Sequence, residues 1–295
     1  MKPALIATVA IGCLIAFADY TEAVFKNITA ENQLTLLTLL VNTVVIGNYS
    51  PAANQSVHVP GILSSSGGLA KYFTGADKTT NRNGIATAVN FLDGGGAPPL
   101  INNTAANDTK SNQYILLTHL YTGFGALLGC SAQKAGSAFG AYEGVTSMFE
   151  VHKFMGLNKT EMDFFITQVA LAAQSFGVAS ADITVVGGLL NSAFNQKCLP
   201  AAPLVAGAPA ELQSICIADS CPTAANASCA AYTSASGGSN STTPTAGPSA
   251  STTASASAGA SAATPTGTKP GAAGMLKVGA GVFVPAVAFV LAALM

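Results

Sequence analysis

Residues 231–271 set the outer limit on what this chain can fold into. From Thr233 the segment reads TSASGGSNSTTPTAGPS and continues almost wholly in Ser, Thr, Ala, Gly and Pro. Such a composition cannot bury enough apolar surface to offset the entropy of ordering it. It reads as a disordered, O-glycosylated stalk. Any folded head must lie before it.

The C-terminal end of the chain gives the stalk its purpose. Small residues at Gly271-Ala272-Ala273 precede a short spacer and an apolar run from Val282 to Met295. That is the layout of a signal for glycosylphosphatidylinositol attachment, with 272–295 removed and Gly271 joined to the lipid. The start of the chain matches it. Lys2 precedes an apolar run, Ala4 to Ala18, that closes on the small-x-small triplet Ala16-Phe17-Ala18. Residues 1–18 therefore read as a secretory signal, and the mature chain is expected to begin at Asp19. The protein is expected on the outer face of the plasma membrane or in the cell wall, with wall glycan as a neighbour.

Composition supports that compartment. Only 8% of residues are charged and the net charge is −1, where soluble domains carry about 25% charged residues. With a single arginine, Arg82, the chain has no basic stripe to neutralise a phosphate backbone, which excludes nucleic-acid binding. Glycans can supply the missing solubility. Sequons begin at Asn27, Asn54, Asn102, Asn107, Asn158, Asn226 and Asn240; another at Asn48 is weakened by Pro51 behind it.

Cys13 leaves with the signal, so five cysteines remain: Cys130, Cys198, Cys216, Cys221 and Cys229. Four fall within 198–230, the pattern of a disulfide-stapled collar. The odd one is free, paired between chains, or, if it is Cys130, reaches the collar. No cysteine or histidine spacing suggests zinc.

Residues 19–197 are expected to be all-α. Apolar periodicity marks helices over Asn32–Ile46, Asn112–Leu128, Val145–Met155, Thr160–Phe176 and Asp182–Phe194. Thr160-x-x-Asp163 resembles a capping box, and Ser180 is the expected cap of the last helix. Short segments are expected at Gly68–Phe73 and Ile85–Leu92, and loops at 48–66 and 101–111.

No nucleophile elbow, phosphate loop or paired carboxylates stand out. The histidines carry more. His58 lies in a polar loop, and His119 flanks the stripe of the Asn112–Leu128 helix. His152 sits inside an apolar stripe with Met148, Phe149 and Met155. A buried imidazole needs a partner. A backbone carbonyl is one, and a haem iron is another.

The stretch Tyr142-Glu-Gly-Val-Thr-Ser-Met-Phe-Glu-Val-His152-Lys-Phe-Met-Gly-Leu157 resembles the proximal-histidine segment of the truncated globins. Thr160–Phe176, Gly177-Val178 and Asp182–Phe194 are similar to that family's last two helices and the turn between them. Phe124-Gly-Ala-Leu-Leu-Gly129 looks like the end of its distal helix, Asn32–Asn48 like its first long helix, and Tyr72–Asp77 like its aromatic corner. The resemblance implies a globin-like helical domain with long inserted loops, holding haem and binding oxygen or nitric oxide. His152 would be the proximal ligand, Phe73 the phenylalanine against the porphyrin, and Leu116, His119 and Leu120 the distal wall. Phe124, Met148 and Phe149 would complete the pocket. Two further readings stay open: a structural or adhesive wall protein whose helical head lacks haem, and a haem peroxidase or dioxygenase with His119 as the distal acid–base group.

Overall fold

A computed structural model describes residues 13–204 and 208–235. Of the expected stalk, residues 231–235 continue a 3-10 turn from Cys229 in which Tyr232 is buried; the rest of it with Asn240 and Gly271, the expected attachment signal 272–295 and residues 1–12 of the expected secretory signal lie outside the described residues.

The described part is mostly helical, as expected: eight α-helices and one small antiparallel hairpin. In chain order they are α1 Cys13–Phe25, α2 Ala30–Ile46, α3 Lys71–Thr74, β1 Thr80–Arg82, β2 Ile85–Thr87, α4 Ala97–Ile101, α5 Asn112–Leu127, α6 Met148–His152, α7 Lys159–Ser175 and α8 Ser180–Phe194. None of the described helices is long and apolar enough to cross a membrane.

The central element is α2, which packs against α1, α4, α5 and α7, while α7 packs on α8. Val41, Val44 and Val45 of α2 meet Leu117 and Tyr121 of α5, Met162 and Ile166 of α7, and Leu190 and Phe194 of α8 in one core. Burying each large apolar side chain contributes about 1.5–3 kcal/mol, so this face outweighs the modest helix propensity of the β-branched run TVVI. Thr29 caps α2 by accepting from the Asn32 amide at 3.1 Å. The helix stops at Gly47, φ +84°, where the chain crosses so close to Gly61, φ +82°, that a side chain on Gly61 would meet the Gly47 backbone. There Ile62 and Leu63 donate back to the free carbonyls of Val44 and Val45.

Three sequence expectations need correction. The Val145–Met155 helix is only Met148–His152, and Val145 is 59% exposed, because irregular chain occupies 140–147. The cap of α7 is Asn158, whose side chain accepts from Glu161 N at 3.0 Å while Glu161 reaches back to Asn158 N at 3.1 Å. Asp163 bonds instead to Asn195, at 2.8 Å, and pairs with Lys159. For α8 the N-cap is Ala179, whose amide donates to the Tyr20 hydroxyl at 2.9 Å, a bond supplied by α1 that no local pattern reveals. The short segment expected at Ile85–Leu92 opens with strand β2, Ile85–Thr87.

Helix α1 crosses the expected Ala18–Asp19 cleavage point without a break. Phe17 is buried against Leu36, Leu37, Cys130 and Phe139.

Buried amide side chains do much of the tying in a chain so poor in charge. Gln33 donates to Ser131 Oγ and accepts from Ala132 N, both at 3.0 Å. Gln113 holds Gly96 and Ala105, and Gln168 accepts from Gly61 N at 3.0 Å. Only three ion pairs occur among the described residues, Lys71–Glu161, Lys153–Glu150 and Lys159–Asp163.

Candidate functional site

The collar cysteines pair among themselves, Cys198 with Cys229 and Cys216 with Cys221, and Cys130 is a buried free thiol. The loops they close run alongside α6, the helix of His152.

A five-residue helix is too short to hold itself in water, and every end of α6 is fastened from outside. Ser147 caps it, accepting from Glu150 N at 3.3 Å and donating to the Leu212 carbonyl at 2.8 Å. Met148 N donates to Gln213 Oε1 at 3.2 Å, and Phe149 N to the Leu212 carbonyl at 3.1 Å. From the hairpin, Asn81 Nδ2 donates to the Glu150 carbonyl at 2.8 Å. Beyond the helix, Leu157 O accepts from Ile217 N and Ala218 N at 3.0 and 3.2 Å. The Tyr72 hydroxyl lies 3.2 Å from Met155 O and 3.0 Å from Glu161 Oε1, which Lys71 also pairs at 3.2 Å.

Within this frame His152 Nδ1 sits 2.8 Å from the Met148 carbonyl oxygen. A carbonyl can only accept, so Nδ1 carries the proton and Nε2 keeps its lone pair. Desolvation lowers the pKa, partly offset by the Met148 carbonyl, and so favours the neutral ring. A neutral imidazole with its second nitrogen tied to a carbonyl is the form that ligates a metal through Nε2.

The side chains expected to form the pocket, Leu116, Leu120 and Phe124 from α5, Met148 from α6 and Phe73 from α3, are half-buried and packed against the main core. Met155, Tyr142 and Phe165 join that same half-buried set. His119 meets Tyr142 edge-on, ring centroids 6.0 Å apart. Phe149 faces the other way. It is fully buried against Tyr232, ring centroids 4.7 Å apart, in a separate cluster with Cys198. It anchors α6 to the collar and is not a pocket residue. Asn42 is also structural, accepting from Tyr121 Oη at 2.6 Å and donating to Leu100 O at 3.1 Å.

An apolar cavity of about 90 Å³ lies elsewhere, among α1, α2, α7 and α8, with Phe124 and Leu128 at its edge and Tyr20 and Asp182 as its polar rim. Neither His152 nor His119 lines it, and ligand pockets for cofactor-sized molecules run to about 300–1,000 Å³. Among the described residues no three His, Cys, Asp or Glu side chains gather to hold a metal ion. His152 is thus a single donor, which suits a metal whose other positions are filled by a macrocycle.

Asn27, Asn54, Asn102, Asn107 and Asn226 are exposed. Asn48 is not available: its Oδ1 accepts from Val59 N at 2.6 Å and its Nδ2 is buried without a partner.

No protein-family model, no curated protein and no solved structure matches the chain.

Proposed function

We propose that this protein is an exported, surface-tethered haem protein in which His152 Nε2 is the axial ligand of the iron and a diatomic gas, oxygen or nitric oxide, is the exchangeable ligand. The observation that carries the reading is the 2.8 Å contact from His152 Nδ1 to the Met148 carbonyl, which puts the proton on Nδ1 and leaves the lone pair on Nε2. The donor chemistry fits the group. One neutral imidazole supplies the ligand, and the resemblance to truncated globins assigns the half-buried Leu116, Leu120, Phe124, Met148 and Phe73 to the surroundings of the macrocycle. When bound, haem supplies an iron able to take a diatomic gas. The chain's own part is to orient the imidazole, keep it neutral and exclude water with aliphatic and aromatic side chains.

The paired collar cysteines and the exposed sequons support the reading of a secreted glycoprotein, while the lipid anchor and the stalk rest on the sequence of 231–295 alone. Hemin titration tests the cofactor. Wild-type protein is expected to give a saturable Soret change, and His152→Ala, folded by circular dichroism, is expected to lose it. If wild-type protein takes up no hemin, the helical head is a wall-protein module without cofactor. Peroxidase chemistry would need His119, and peroxide turnover unaltered by His119→Ala removes that reading.

A further inference from the structure

The imidazole of His152 stands at the end of a hydrogen-bond chain that begins in the collar. The Met148–Phe149 peptide group is its middle link. The carbonyl of that group accepts from His152 Nδ1 at 2.8 Å, and its N–H donates to the Leu212 carbonyl at 3.1 Å. An amide that donates through its N–H becomes a better acceptor at its oxygen, because the two bonds polarise one another. The neighbouring Ser147–Met148 peptide is held by Gln213, whose side chain is almost fully buried. Gln213 Oε1 accepts from Met148 N at 3.2 Å. Its Nε2 donates to Thr146 O at 3.0 Å and to Ala202 O at 2.9 Å. One amide therefore grips the chain entering α6 at two points and joins it to the other arm of the collar. That arm is fixed in turn by the reciprocal Ala202–Glu211 backbone pair and by the Cys198–Cys229 disulfide.

We infer that Gln213 is a positioning residue for His152: through Met148 it sets which imidazole nitrogen carries the proton and keeps Nε2 presented as a ligand. The collar then acts as the outer support of the site, not only as a closure of the domain. A histidine ligand whose other nitrogen loses its support typically binds metal about 10–100-fold more weakly. The geometric half of the inference needs no cofactor, while its effect on affinity rests on the haem reading above.

The test is an imidazole ¹H–¹⁵N correlation spectrum of the full chain, cofactor-free, with His152 assigned from the signal missing in His152→Gln. Wild type is expected to show His152 protonated at Nδ1 alone. Gln213→Leu is expected to convert it to a mixture of the two neutral tautomers. Gln213→Glu, which still accepts from Met148 N but cannot donate to Thr146 and Ala202, is expected to fall between them. Ser147→Ala, which removes a donor to the same Leu212 carbonyl and the cap of α6, provides a second variant and should move the spectrum in the same direction. Hemin titration of the same samples should show Gln213→Leu weakened by about 10–100-fold. A folded Gln213→Leu or Ser147→Ala protein in which His152 stays wholly Nδ1-protonated overturns the inference. Absence of hemin uptake by wild type, with the tautomer shift still present, overturns the haem reading and leaves the positioning role standing.

Discussion

His152 Nδ1 and the Met148 carbonyl oxygen lie 2.8 Å apart, one turn from each other on a helix of five residues. Desolvation makes the neutral ring the folded-state form, the contact fixes its proton on Nδ1, and the neutrality has a consequence for stability. Desolvation holds the His152 pKa below its ordinary value. As pH falls through about 6.5, the unfolded chain binds a proton at this residue before the folded chain does. Stability from the neutral ring is therefore complete above that pH and declines below it. The melting temperature should be lower at about pH 5.5 than at about pH 7.5, and His152→Leu should flatten the difference. Asp93 and Asp163, whose pKa values are lowered by their hydrogen bonds, act only further into acid.

Tyr121 and Asn42 form the polar tie between α5 and α2, at 2.6 Å in the middle of the core. Removing the hydroxyl leaves the Asn42 oxygen buried without its partner. Tyr121→Phe should cost about 1–3 kcal/mol, read from urea unfolding. A second change, Asn42→Leu, should recover part of that loss, because it removes the unpaired oxygen, while the Leu100 carbonyl loses the Asn42 donor but still accepts from Asn103 N.

Asn158 has two roles that substitution can separate. It is the N-cap of α7, through the Glu161 amide at 3.0 Å, and it begins a sequon. Asn158→Ala removes both and should destabilise by about 0.5–2 kcal/mol. Thr160→Ala abolishes the sequon and spares the cap, so its loss should be much smaller. Equal losses in unglycosylated protein would contradict the capping role. In glycosylated protein, mass mapping should find sugar on Asn27, Asn54, Asn102, Asn107 and Asn226 and none on Asn48, whose Nδ2 is buried.

Cys130 is buried in one cluster with Leu36, Leu37 and Phe139, and burial pushes its thiol well above the ordinary cysteine range. It should resist iodoacetamide in the folded protein and react once the chain is unfolded in urea. Rapid labelling under native conditions would contradict the placement.

Whether a feature of this protein is legible in its sequence depends on whether the feature is local. Helices α2, α5, α7 and α8 are legible because each carries an apolar stripe of four turns or more. The α7 cap is ambiguous by two residues because Asn158-x-x-Glu161 and Thr160-x-x-Asp163 present the same pattern, and only packing of Glu161 with Tyr72 and Lys71 distinguishes them. His152 is visible as a polar residue in a stripe, whereas periodicity puts Phe149 on the wrong side because α6 is too short to fix its facing. The contributions of Leu212 and Gln213 leave no local signal. They reach α6 across 65 residues of chain, and a glutamine in an irregular segment looks like any surface residue. Its one hint is position, inside the stretch bracketed by four cysteines.

Ligation of the iron by His152 Nε2 is tested most directly by the resonance Raman spectrum of the reduced, hemin-loaded protein. An iron–histidine stretching band that shifts on ¹⁵N labelling of histidine and disappears in His152→Ala is the predicted result; a spectrum without that band, or one unaltered by His152→Ala, would contradict it.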